Sequence, residues 1–195
     1  MSYVVFDLET LHSTDEEGFS FGRPWQLGLA VACTWSEEDG ARDWFAPDAW
    51  SLLQYLGQQE RVVSFNGLRF DYRVLDGAIA PGTGEVSGGD VAEMTRAALR
   101  GKSIDMLLDV VDALGKRIKL ARLAEGTLGE FKEMPGELAP KEWAAGRRLE
   151  VIRYCRHDVE ITRKLYEWGV EGAPLLFSAD GDREAGEVRP TWTLR

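Results

Sequence analysis

The chain has 195 residues, 23 of them basic and 33 acidic, giving a formal net charge of −10. That sign excludes nucleic-acid binding through a general positive field, while leaving room for a local basic groove beside an acidic metal site. The length and a hydrophobic fraction of 44% fit one globular domain with a sizeable core, and no apolar run approaches a membrane span.

The first predicted element is the most informative. Val4-Val5-Phe6-Asp7-Leu8-Glu9-Thr10 reads as a short apolar strand with two acids near its end. Side chains alternate along a strand, so Asp7 and Glu9 share a face, roughly 7 Å apart at Cα. Residues 11–23 are polar and read as a loop near that acidic tip. Residues 24–35 alternate as a long second strand through Trp25, Leu27, Leu29, Val31 and Cys33. Asp39-Gly40 is a hairpin turn, and 41–46 form a third strand. Asp48 is placed to cap a helix through about residue 57. Residues 61–65 are a fourth strand, stopped by Asn66-Gly67 and followed by a helix over 68–77.

Residues 80–90 form a Gly-rich insertion expected to be mobile, with a helix at about 91–100. Lys102–Met106 reads either as a last short strand or as the start of a helix running to Leu114, and Gly115 ends that helix. Lys116, Arg117, Lys119 and Arg122 form the densest basic cluster. Short helical turns are expected at 120–125 and 127–132. A long helix starts at Pro140 and runs to about 168, bent at Gly146. The expected division is a main domain over 1–170 and a C-terminal extension over 171–195, packed as an arm. Hairpin-linked strands followed by strands separated by helices give an α/β fold, with three antiparallel strands and then parallel ones in one mixed sheet.

Two further acids belong with the first pair. Asp71 follows the fourth strand; read alone, it is a surface acid that complements the helix dipole early in the following helix. Asp158 shares a helical face with Tyr154, Ile161 and Leu165, which makes that face apolar and inward. An inward Asp needs a partner or a metal. Asp7, Glu9, Asp71 and Asp158 form an all-oxygen set suited to Mg²⁺ or Mn²⁺. Two such ions can activate water and stabilise a leaving oxygen in phosphodiester cleavage. His157 receives no ligand role; His12 could touch substrate but reads first as a plain loop histidine. Asp105, Asp109 and Asp112 could be ligands in a different sheet register but read first as surface or capping acids. Cys33 and Cys155 lack zinc or disulfide spacing, which, with no signal-type N-terminus, fits a cytoplasmic protein.

The order of these motifs resembles the DEDD exonuclease superfamily, whose fold is ribonuclease H-like. Phe6 to Thr10 resembles its first motif, Asn66 to Asp71 its second, and Tyr154 to Asp158 the Tyr-x3-Asp third motif of the tyrosine (DEDDy) branch. That branch includes the proofreading domains of family B DNA polymerases and ribonuclease D. The resemblance spans about residues 1–168. It implies a mixed five-stranded sheet flanked by helices and a two-metal 3′–5′ exonuclease acting on single-stranded DNA or RNA. It implies that Asp7, Glu9 and Asp158 hold one ion, that Asp7 and Asp71 hold the second, and that Tyr154 aligns the attacking water. Leu8 and Thr10 would contact the terminal nucleotide, and Asn66 and Phe70 would shape its pocket. A proofreading role would require replication or repair proteins on another chain. The competing readings are a catalytically silent ribonuclease H-like binding or scaffolding module and a structure-selective endonuclease.

Overall fold

Five strands are joined in the order β3-β2-β1-β4-β5. They are β1 (Val4–Thr10), β2 (Leu29–Ser36), β3 (Gly40–Trp44), β4 (Val62–Ser64) and β5 (Ser103–Asp105). This computed structural model describes residues 2–79, 97, 99–131 and 134–192. Strands β1–β2 and β2–β3 pair antiparallel, as consecutive hairpins must. Strands β1–β4 and β4–β5 pair parallel, because helical crossovers separate them. The result is the mixed five-stranded α/β sheet expected of the ribonuclease H-like fold.

The period of two along β1 divides the molecule. Val4, Phe6 and Leu8 enter a core with α1 (Ala49–Gln58) and α2 (Asp71–Ile79) on one face. Val5 enters a second core on the other face. That face is covered by α3 (Met106–Leu114), α4 (Leu120–Leu123) and the long α6 (Arg148–Val170), which follows the short α5 (Ala139–Ala144). Asp7 and Glu9 have the parity of Val5, so they project toward the α6 side. Tyr154, Cys155, Ile161 and Leu165 of α6 all pack into that second core.

Several boundaries differ from the sequence expectation. The second strand begins at Leu29, because Pro24 opens a single 3₁₀ turn over Pro24–Gln26. The third strand stops at Trp44, just before a 3₁₀ turn over Ala46–Asp48. The helix expected at 68–77 starts at Asp71, because Asn66 to Phe70 form a turn first. The turn expected at 127–132 is a π-helical turn over Ala124–Leu128. The helix expected from Pro140 is two helices: Gly146, at φ 83°, breaks it where a bend was expected. Lys102–Met106 resolves into both alternatives, with β5 running directly into α3.

The C-terminal residues form a hairpin, β6 (Leu175–Phe177) with β7 (Gly186–Val188). Leu175, Phe177, Val188 and Trp192 join the same core as α6. Trp192 is buried and its indole Nε1–H donates to Tyr166 O at 3.2 Å. The insertion expected at 80–90 lies outside the described residues, as does the helix expected at 91–100 except residues 97, 99 and 100. No helix among the described residues is long and apolar enough to cross a membrane.

Candidate active site

Asp7 and Glu9 are placed by the ladder, where they oppose Cys33 and Val31 of β2. The register then shifts between Glu9 and Thr10, which brings Thr10 opposite Leu29. Such an irregularity at a strand tip re-aims the last side chains. Asp158 arrives from α6, where it is buried on the inward face with Tyr154. One ligand oxygen from each of Asp7, Glu9 and Asp158 lies within 4.8 Å of the others. Glu9 and Asp158 are buried and Asp7 half-buried.

Asp71 lies outside that trio but beside it. It opens α2 at the carboxyl end of β4 and is buried. Burial first, then the charges of Asp7 and Asp105, pushes its carboxyl well above the usual range. Its Oδ2 is buried with no hydrogen-bond partner among the described residues. An orphaned carboxylate oxygen beside three other acids is the kind of donor that a divalent cation satisfies. The all-oxygen donor set therefore fits a hard cation.

The Tyr154 side chain is hydrogen-bonded to Asp158. Burial, followed by the charges of Asp158, Glu9 and Asp7, drives its hydroxyl far above the ordinary phenol range. The phenol therefore stays protonated and keeps its proton to donate. From behind the site, Cys155 Sγ lies 3.5 Å from Asp7 O.

The second motif is held in an unusual way. Asn66 has φ 76°, which a non-glycine residue seldom adopts. Gly67 follows, and a Cβ there would meet Ser64 Oγ at 2.2 Å, so the turn closes onto β4 only with glycine. Asp105 then accepts from four main-chain N–H groups: Asn66 at 2.9 Å, Leu68 at 3.0 Å, Leu107 at 3.1 Å and Leu108 at 3.3 Å. The same carboxylate thus caps α3 and clamps the turn that delivers Asp71. The capping half of this was legible as an Asp before a helix; the clamp joins residues 39 and 37 positions apart and left no local signal.

A cavity of about 320 Å³ lies over the acids, lined by Asp7, Leu8, Glu9, Thr10, Asp71, Tyr154 and Asp158 among others. It adjoins a groove of about 670 Å³ that shares Asp7, Asp158, Phe21, Phe65 and Phe70 with it and adds Asn66, Arg117 and Lys119. The Leu8 side chain is packed in the core beneath the cavity floor. The Thr10 hydroxyl donates to His12 O at 2.8 Å and so fixes the following loop. The Phe70 ring lies 5.9 Å from that of Phe21, centroid to centroid. Phe21 is 73% exposed and Phe131, which also lines the groove, 70%. Neither aromatic was singled out from sequence, because a lone Phe in a polar loop (Phe21) or a short turn (Phe131) carries no periodicity.

Other charged and polar residues separate by contact. Arg122 donates from Nε to Ser178 O at 2.6 Å and from Nη2 to Glu184 O at 2.7 Å, anchoring the C-terminal hairpin. Arg147 pairs with Glu142, and Arg156 with Asp43. Asp109 accepts the Thr191 N–H at 2.9 Å. His12 lines the cavity, with Nδ1 3.0 Å from Glu16 Oε2; His157 Nε2 lies 3.4 Å from Phe131 O.

No family model matches the chain, and no curated protein matches it. In fold it is similar to the family B DNA polymerase from the hyperthermophilic archaeon Pyrobaculum calidifontis, at a TM-score of 0.59 and 17% identity. That similarity covers 86% of this chain and 24% of the polymerase chain, so the chain spans about a quarter of the polymerase's length. At this identity the likeness is one of fold.

Proposed function

We propose that the protein is a metal-dependent 3′–5′ exonuclease of the tyrosine type, acting on single-stranded nucleic acid. The observation that carries this reading is the meeting of Asp7, Glu9 and Asp158 within 4.8 Å at the tip of β1. Asp7, Glu9 and Asp158 would hold one Mg²⁺ or Mn²⁺, and Asp7 with Asp71 the other. Bound there, the ions supply activation of water and neutralisation of charge at the leaving oxygen.

The chain's own groups do the positioning. Tyr154, kept protonated by its acidic surroundings and hydrogen-bonded to Asp158, can orient a water beside that carboxylate. Phe65, Phe70 and Phe21 line the approach and offer aromatic faces to bases. Leu8, Thr10 and Asn66 bound the space of the terminal nucleotide. The aromatic surfaces are indifferent to base identity, which suits removal of nucleotides one after another.

The test is incubation of 5′- and 3′-labelled single-stranded DNA and RNA with Mn²⁺ or with EDTA. The expected result is Mn²⁺-dependent release of mononucleotides from the 3′ end, abolished by Asp7→Ala or Asp158→Ala in folded protein. Full activity in either variant would reject the assignment. Cuts inside a circular single strand would replace it with an endonuclease, and binding without turnover with a silent module.

A further inference from the structure

A second pocket of about 410 Å³ shares Phe21 with the cavity over the acids. Its lining includes Arg69, Arg73 and Arg100 with Phe21 and Tyr72, and among the described residues it holds no carboxylate. That composition stands out in a chain of net charge −10. Arg69 lies in the turn before α2 and Arg73 in the first turn of α2, four residues apart. Like charges at that spacing repel. Arg73 is held in place by its guanidinium lying 4.5 Å from the Trp25 ring centroid. Arg69 and Arg100 are exposed.

Phe21 lines this pocket, the cavity over the acids and the 670 Å³ groove alike, so it is the common wall between them. The two approaches differ in chemistry. The groove pairs Arg117 and Lys119 with Glu125, Glu137 and several aromatic and aliphatic side chains. An apolar, acid-flanked groove suits bases; three guanidinium groups with no acid among the described lining residues suit phosphates, which they can bind bidentately.

We propose that Arg69, Arg73 and Arg100 form a phosphate-binding site for the phosphodiester backbone of the strand, upstream of the nucleotide whose bond is cut. This rests on the exonuclease reading and adds the path of the strand: around Phe21, backbone toward α2. It also explains how an acidic protein grips a polyanion, by concentrating cations at one point outside the metal-binding carboxylates.

The experiment is fluorescence anisotropy with 5′-fluorescein-labelled dT12 and rU12, with Ca²⁺ in place of Mg²⁺, across a series of salt concentrations. Each phosphate contact on a single strand contributes about 0.7 to the slope of log K against log salt. The Arg69→Gln/Arg100→Gln variant is expected to bind more weakly and to lose roughly 1.4 of that slope. Arg117→Gln/Lys119→Gln is expected to lose less. Thermal melts check that both fold, and the single Arg100→Gln gives the same reading at half amplitude. An unchanged slope in the arginine variant, or a larger loss in the groove variant, overturns the proposal. Mononucleotide release is followed in parallel with Mg²⁺. Release with an unchanged slope rejects this pocket and leaves the nuclease. A lowered slope without release keeps the phosphate site and rejects the nuclease.

Discussion

The Asp105 carboxylate accepts the main-chain N–H of Asn66 at 2.9 Å across two strand ends. One side chain therefore fixes both the start of α3 and the left-handed turn that presents Asp71. Asp105→Ala leaves up to four N–H groups without that acceptor. The expected loss of stability is about 2–4 kcal/mol, read from urea melts. Mononucleotide release should fall further than stability alone requires, because Asn66, Phe70 and Asp71 shift together. A melt unchanged from the parent would show that the clamp is dispensable.

Tyr154→Phe removes the hydroxyl and keeps the ring in the core. The expected effect is a drop in kcat of about 10–100-fold, the usual cost of losing a group that orients a metal ligand. KM should move little, since the ring and groove remain. Steady-state kinetics on a labelled single strand separate the two, and a change confined to KM would contradict the assigned role.

Asp71 gives a pH signature. Its folded-state carboxyl is raised by burial and by Asp7 and Asp105, so the folded chain binds the proton more tightly than the unfolded one. Stability then falls as pH rises from the ordinary carboxylate range through the raised value, and the full penalty stands above it. Asp71→Asn removes the penalty. In EDTA its Tm should exceed that of the parent at neutral pH, by about 2–4 °C per kcal/mol recovered, with the gap closing toward about pH 4. A gap that widens in acid would have the wrong sign.

Cations that bind the folded chain alone must stabilise it. At a free Mn²⁺ concentration of about 100 times Kd, the gain is about 2.7 kcal/mol, or roughly 5–10 °C in Tm. Differential scanning calorimetry should show the rise in the parent and its loss in Asp7→Asn and Asp158→Asn. An equal rise in all three would place the ion elsewhere.

Much of the sheet was legible because its signals are local. Val4 to Thr10 declares a strand by composition, and Asp39-Gly40 declares the hairpin. The inward face of Tyr154, Asp158, Ile161 and Leu165 follows from helical spacing, and all four are buried. What the sequence hid depends on contacts between distant segments. The clamp by Asp105, the anchoring of the C-terminal hairpin by Arg122 and the three-arginine pocket each join residues far apart in the chain. The break at Gly146 was misread as a bend because composition does not report φ; at 83° the helix cannot continue.

In the proposed function, four carboxylates from two strand ends and one helix share divalent cations. Anomalous diffraction from crystals soaked in Mn²⁺ with a nucleoside 5′-monophosphate measures this directly. The expected result is a manganese peak about 2.1 Å from oxygens of Asp7, Glu9 and Asp158, and a second beside Asp7 and Asp71. Crystals that hold the nucleotide but show no manganese at these side chains would contradict it.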